Sequence, residues 1–142
     1  MRRIFLFTLT LCICMMAVYA TNSDDKFINA LRNCSSYKES GTINVQGISA
    51  QSSKSILGWN NDKCTYKENL VISGMNTNVT CHFSRPQIKE ISDVADAYFL
   101  TLKYSNENVD TSSVEAAQNT PLAHVFNKYL QDPQVCTISG ME

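Results

Sequence analysis

The chain has 142 residues, with 12 Lys or Arg, 13 Asp or Glu and a formal net charge of −1. A chain of this length is of ordinary single-domain size and can bury most of its apolar surface. The near-neutral charge, with no basic cluster, argues against nucleic acid and anionic membrane surfaces as partners.

The first twenty residues have the pattern of an export signal. Arg2 and Arg3 supply the positive start, an apolar run covers residues 4–18, and the tripeptide at 18–20 is a small-residue cleavage site. A twin-arginine signal and an uncleaved anchor are the alternatives, but the positive region is very short and the apolar run is short for a span. Neither cysteine in this segment follows a small residue, which argues against lipidation.

Cleavage after residue 20 predicts a single mature domain over residues 21–142. Removing Arg2 and Arg3 leaves ten basic and thirteen acidic residues, a net charge of −3. No later apolar run approaches the roughly 20 residues that span a bilayer, so we expect no stable membrane insertion after cleavage. The expected location is secreted or periplasmic, and an oxidising compartment favours two disulfides in the mature domain. The candidate cysteines are Cys34, Cys64, Cys81 and Cys136.

The first half of the mature chain predicts a short helix and then a sheet. Phe27, Ile28 and Leu31 give the helix one apolar face. Apolar residues then alternate along four short runs, and a change of phase after Val45 suggests a bulge at Gly47. Because every connection is short, we expect a four-stranded antiparallel meander. The strands are expected near 43–50, 55–59, 64–72 and 79–83.

The second half predicts two helices. Ser84 and Gln87 fit a capping box, and apolar residues recur at helical spacing from Ile88 onward. Residues 104–113 are polar and loop-like, and a last helix begins at Pro121 with Asn119 or Thr120 as its cap. The predicted fold class is therefore α+β, with a short N-terminal helix, a four-stranded antiparallel meander and two helices packing on the sheet.

In a simple up-and-down meander, all four mature cysteines gather at one end of the sheet. A turn centred near Gly74 and Met75 places Cys64 about five residues from the position opposite Cys81, which is too far for a disulfide. Two pairings remain open: Cys34–Cys64 with Cys81–Cys136, or Cys34–Cys81 with Cys64–Cys136.

The sequence contains no motif for catalysis, a metal or a cofactor. There is no Cys-x-x-Cys pair, and adjacent Cys81 and His82 face opposite sides of a strand. His82 and His124 are the only histidines, and no nucleophile motif accompanies them. Asp93 and Asp96 share a helix side that reads as a solvated face. The sequence therefore leans against enzyme activity without deciding it, and we expect no cofactor and no metal.

Three aromatic residues are candidates for a partner surface. Trp59 and Tyr66 flank a predicted turn, and Tyr37 precedes the first strand. Core packing is the alternative role for each of them. Asn33 and Asn78 match the acceptor pattern for N-glycosylation, which matters only in a eukaryotic secretory pathway.

These observations favour an exported, non-catalytic binding or interaction domain that uses the sheet face or the turns opposite the cysteines. A helix followed by a four-stranded meander is also similar to the cystatin order, and Val45-Gln46-Gly47 matches the end of the cystatin Gln-x-Val-x-Gly loop, with Ile43 in place of Gln. This resemblance covers less than half of the chain and implies a secreted protease inhibitor. A small secreted hydrolase is a third hypothesis.

Overall fold

The computed structural model describes residues 22–45, 47–105 and 119–140. The predicted signal peptide and most of the predicted polar loop lie outside these ranges. The α+β class is confirmed, because helices accompany an antiparallel sheet. The elements are α1 (Asn22–Asn33), β1 (Tyr37–Val45), β2 (Ile48–Asn60), β3 (Lys63–Ile72), β4 (Met75–Ser84), α2 (Arg85–Ser105), α3 (Pro121–Leu130) and β5 (Cys136–Ser139).

Within the described residues, the sheet has five strands in the order β1-β2-β3-β4-β5, so the prediction of four strands was wrong by one. The first four form an antiparallel meander as expected, but the strand predicted near 43–50 spans the end of β1 and the start of β2, and the run predicted at 55–59 is the second part of β2. The additional strand, β5, pairs antiparallel with β4 from Cys81 opposite Cys136 to Asn78 opposite Ser139. A segment of four residues is too short to show a strand pattern of its own, and pairing with β4 is what makes it a strand.

The first hairpin differs from the sequence prediction at Gly47. Val45 pairs with Ile48, so the chain reverses between β1 and β2, and Gly47, with φ +80°, lies in the turn. A tight turn between two paired strands also explains the change of apolar phase. The bulge lies further along β2, where the register with β3 shifts between Ile56 and Gly58.

Both predicted helix starts after the sheet are confirmed by their caps. The backbone N–H of Ser84 donates to Gln87 Oε1 over 2.7 Å, which is one half of a capping box. Thr120 caps α3, because its Oγ1 accepts from the backbone N–H of Ala123 over 3.1 Å. Helix α2 continues to Ser105, two residues into the segment that the sequence suggests as a loop. No helix within the described ranges is long and apolar enough for a bilayer crossing.

An aromatic cluster joins the helices to one face of the sheet. Phe27 of α1 lies 5.7 Å from Tyr66 of β3, between ring centroids. Phe126 and Tyr129 of α3 lie 6.4 and 5.9 Å from Phe83 of β4. This face is therefore the inner face, and α3 packs on it as the sequence predicts. Helix α1, for which the sequence makes no such prediction, packs on the same face. Helix α2 buries Ile88, Ile91 and Ala95.

Two disulfides connect the four candidate cysteines as Cys34–Cys64 and Cys81–Cys136, with Cα separations of 5.8 and 4.1 Å. This is one of the two pairings that the sequence leaves open. The predicted register was wrong, because Ile72 pairs with Met75 and the turn is therefore centred on residues 73–74. Cys81 then lies opposite Tyr66, two residues from Cys64 rather than five. Both bridges consequently lie close together on the inner face.

Candidate ligand-binding cavity

A cavity of about 200 Å³ lies at the end of the sheet where the cysteines gather. Three elements form it: the last turn of α1, the end of β2 and the first turns of α2. We call it the Trp59 cavity. Its lining residues are Arg32, Trp59, Arg85, Ile88, Lys89, Ser92 and Asp93. Pockets for drug-sized ligands occupy roughly 300–1,000 Å³, so this volume suits a small molecule or one end of a larger one.

Helix periodicity and one disulfide build the cavity. Five of the lining residues belong to α2 and recur at spacings of three and four, which places them on one helix face. On the other side, Arg32 comes two residues before Cys34, and Trp59 is the register partner of Cys64. Because Cys34 and Cys64 form a disulfide, this bridge fixes the end of α1 to β3, the strand that pairs with the β2 wall.

Basic side chains dominate the polar part of the cavity. The Cζ atom of Arg85 lies 4.2 Å from the ring centroid of Trp59, a cation–π distance. Arg32 Nη2 lies 2.6 Å from Asp96 Oδ1, and Lys89 Nζ lies 2.6 Å from Asp93 Oδ2. Two of the three cations therefore have acidic neighbours, whereas Arg85 has an aromatic one.

Ser92 is the deeply buried polar residue of the lining. Only 3% of its surface is exposed, and its Oγ has no hydrogen-bond partner among the described residues. A buried hydroxyl without a partner loses its hydration and gains nothing in exchange, at a cost of roughly 1–3 kcal/mol. A water or a ligand atom in the cavity would remove that cost.

A second depression, of about 400 Å³, lies on the sheet beside β1, β2 and β3. Its lining has no charged side chain. It carries the hydroxyl and amide groups of residues that include Ser40, Thr42, Gln51, Ser53 and Asn69. Asn69 already donates to Asn76 Oδ1 and Asn78 Oδ1 on β4. We regard the Trp59 cavity as the better candidate despite its smaller volume, because it combines charge, an aromatic ring and a buried hydroxyl.

A charged network lies inside the domain beneath α1. Glu39, Lys54 and Glu68 are register partners on three adjacent strands, and Lys54 Nζ lies 3.3 Å from Glu39 Oε2. Tyr66 donates its hydroxyl hydrogen to Glu68 Oε2 over 2.8 Å. Burial raises the pKa of Glu68 to about 7, although the Tyr66 hydrogen bond and the charge of Lys54 both oppose the shift. Glu68 is 3% exposed and does not line the cavity, so the network is a core feature.

The three predicted surface aromatics occupy different environments. Trp59 is half-buried and lines the cavity. Tyr37 is half-buried against Phe27, with its hydroxyl donating to Glu39 Oε2. Tyr66 is 0% exposed and lies in the aromatic core, where no partner can reach it. Of the three, Trp59 alone belongs to the cavity.

The histidines and acidic pairs lie where the sequence suggests. His82 is exposed on the outer sheet face, 3.3 Å from Thr65 Oγ1, and His124 is exposed on α3. Asp93 and Asp96 are exposed and paired with Lys89 and Arg32. Within residues 22–45, 47–105 and 119–140, no group of three or more His, Cys, Asp or Glu side chains could hold a metal ion.

Sequence reasoning missed Arg32, Arg85 and Ser92 as cavity residues. A usable signal existed for Ser92, because it follows Ile91 and lies four residues after Ile88, on the edge of the apolar stripe. A polar residue at such a position is buried once the helix packs. Comparisons with protein-family models, curated proteins and solved structures find no match to this chain.

Proposed function

We propose that the mature chain is a non-catalytic binding domain that acts outside the cytoplasm and takes a small ligand, or the end of a partner molecule, in the Trp59 cavity. The observation that carries this proposal is the hydroxyl of Ser92, buried without a partner in a cavity that also holds an aromatic ring and Arg85. Polar groups that converge beside an apolar surface, here that of Trp59 and Ile88, are typical of ligand sites.

The two disulfides support the proposed compartment. Structural disulfides persist in oxidising surroundings such as the periplasm or the extracellular space and are rare in the cytosol. Their pairing agrees with a domain that is exported and then oxidised, as the N-terminal signal pattern suggests.

Tryptophan fluorescence can test the binding function directly, because Trp59 is the single tryptophan of the chain. The probes are phenylacetate, phenylacetamide and 2-phenylethylamine, which share a ring and differ in charge. We expect at least one of them to change the Trp59 emission in a saturable way. The absence of a saturable response to all three would overturn the proposal.

Two matched variants show whether the response comes from the cavity. Ser92→Leu fills the cavity with an apolar side chain and is expected to abolish the response. Thr101→Leu makes a similar change at an exposed position further along α2, and it is expected to leave the response intact. Equal responses in both variants would place binding elsewhere.

A protease inhibitor is the second candidate, and the position of the first turn favours it. The β1–β2 turn, which contains Gly47, and the turn at 73–74 lie at the same end of the meander, because alternate hairpins of an antiparallel sheet share an end. Ile48 and Met75 follow these turns and are 48% and 51% exposed. Two adjacent turns with apolar side chains could contact a protease cleft.

Inhibition assays against papain-like proteases test this alternative. We expect inhibition by the mature chain to be lost in Gly47→Ala, because Gly47 has a positive φ that the turn requires. Asp62→Ala, in the turn at the opposite end of the sheet, is the control and should inhibit normally. If the mature chain inhibits none of a panel of papain-like proteases, it is not an inhibitor of this class.

A further inference from the structure

The balance of charge around the Trp59 cavity leaves one positive charge. Arg32, Arg85 and Lys89 contribute three cations to the lining. Asp96 neutralises Arg32, and Asp93 neutralises Lys89, through contacts of 2.6 Å. A ligand with a single negative charge would balance the one remaining positive charge, whereas a dianionic phosphate would leave an excess of negative charge.

Arg85 carries the remaining charge, and the structure leaves its donors available. No carboxylate in the described part of the chain lies within ion-pair distance of its guanidinium. Its position over the Trp59 ring holds the guanidinium at the cavity. A guanidinium presents N–H donors in a rigid planar fork that matches the two oxygens of a carboxylate.

Ser92 and the apolar wall add two further constraints on the ligand. The Ser92 hydroxyl has a hydrogen to donate, and a carboxylate oxygen is a strong acceptor for it. Trp59 and Ile88 supply the apolar surface of the lining, which favours a hydrocarbon or aromatic group next to the anion.

We infer that the Trp59 cavity binds the carboxylate of a small apolar or aromatic molecule. Arg85 binds the carboxylate, Ser92 donates a second hydrogen bond, and the Trp59 ring packs against the apolar part of the ligand. The same chemistry belongs to a free organic acid and to the C-terminal residue of a peptide. This inference rests on the proposed binding function and adds the chemical class of the ligand.

Calorimetric titration of the mature, oxidised protein tests the ligand class. The probes are phenylacetate, its neutral amide, 2-phenylethylamine and phenyl phosphate. We expect phenylacetate to bind about tenfold to a hundredfold more tightly than phenylacetamide, the usual range for a hydrogen bond to a charged group. Phenyl phosphate should bind more weakly than phenylacetate, and the amine should not bind.

Three variants assign the roles of the residues. Arg85→Gln should remove the preference for phenylacetate over its amide, whereas Lys67→Gln, which removes a charge from the exposed sheet face, should preserve it. Ser92→Ala should weaken phenylacetate binding about threefold to tenfold. Circular dichroism verifies that each variant is folded.

A peptide pair distinguishes the two sources of the carboxylate. N-acetylglycylphenylalanine and its C-terminal amide present the same ring on a peptide. If N-acetylglycylphenylalanine binds more tightly than phenylacetate, the ligand is the C-terminus of a peptide. If phenylacetate binds more tightly, the ligand is a free organic acid.

Several outcomes overturn the inference. The ligand class is not a carboxylate if phenylacetate and phenylacetamide bind equally well, or if phenyl phosphate binds more tightly than phenylacetate. The same conclusion follows if Arg85→Gln keeps the preference for phenylacetate over phenylacetamide. In those outcomes the cavity still binds a ligand and the proposed function survives. If none of the probes binds, both fail together.

Discussion

At the scale of single residues, Ser92 combines a cost to stability with a role in binding. Its Oγ is buried without a partner, so Ser92→Ala removes an unsatisfied group and places a better helix former in α2. We expect the free energy of unfolding without ligand to rise by about 1–3 kcal/mol, measured by urea denaturation. Thr101→Ala is the control, because its hydroxyl already donates to Ala97 O and its removal should change stability less. A loss of stability in Ser92→Ala would show that the hydroxyl is satisfied in solution.

Glu68 makes stability depend on pH. Burial raises its pKa in the folded protein from 4.5 to about 7, so between these values the folded state holds a proton that the unfolded state has released. The free energy of unfolding therefore falls as the pH rises from 4.5 to 7, by about 3 kcal/mol at 1.36 kcal/mol per pKa unit.

Urea denaturation across this pH range, compared between the natural chain and Glu68→Gln, measures the contribution of Glu68. The amide does not titrate, so we expect the variant to lack this part of the pH dependence and to be the more stable protein at neutral pH. Parallel curves for the two proteins would show that Glu68 does not titrate between pH 4.5 and 7 in the folded state.

At the scale of elements, the cap of α3 links a local signal to the core. Thr120 Oγ1 accepts a hydrogen bond from the first turn, and the helix then places Phe126 and Tyr129 against Phe83. We expect Thr120→Ala to lower the free energy of unfolding by about 1 kcal/mol, since such caps contribute roughly that amount. Thr120→Ser keeps the accepting oxygen and should lose much less stability. Thermal denaturation measures both variants, and equal losses of stability in Thr120→Ala and Thr120→Ser would mean that the hydroxyl does not act as a cap.

The elements that the sequence predicts well are those with local causes. Ser84 with Gln87 and Thr120 before Pro121 indicate helix starts because each cap acts within one turn of its own helix. Gly47 was misassigned because a tight turn and a bulge both change the apolar phase. Strand β5 was missed because its partner, β4, lies more than fifty residues earlier in the chain.

At the scale of the whole molecule, the two disulfides should contribute similarly to stability and differently to the site. Replacing either pair by alanine is expected to lower the free energy of unfolding by about 2–4 kcal/mol, mainly because the unfolded chain becomes less restricted. Cys34–Cys64 fixes the end of α1, one wall of the Trp59 cavity, to β3 beside Trp59, whereas Cys81–Cys136 joins β4 to β5.

We therefore expect the double variant C34A/C64A to change the Trp59 emission and to weaken phenylacetate binding. The double variant C81A/C136A has a comparable loss of stability and serves as the matched control, with emission and binding close to those of the natural chain. Urea denaturation measures the loss of stability, and fluorescence titration measures the binding of phenylacetate. Equal effects of both pairs on binding would show that the cavity depends on overall stability rather than on the bridge beside it.

The candidate site was much less predictable than the fold. Trp59 and Tyr66 were singled out because they flank a predicted turn, and Tyr37 because it precedes the first predicted strand. Nothing in these sequence positions separates a cavity residue from a core residue. Asp93 was assigned to the solvated face of its helix. That assignment is correct for the isolated helix and incomplete for the domain, because the end of α1 packs beside this face and turns part of it into a cavity wall.

The sequence by itself determined the α+β class, the helix caps, the meander and the four cysteines that form the disulfides. These features follow from propensity, capping and turn chemistry between neighbours in the chain. Only the tertiary structure decided the pairing of Cys34 with Cys64, the fifth strand and the meeting of Arg85 with Trp59. The physical reason is that a turn displaced by one residue shifts the strand register by two, and that a cavity exists only where three packed elements leave space between them.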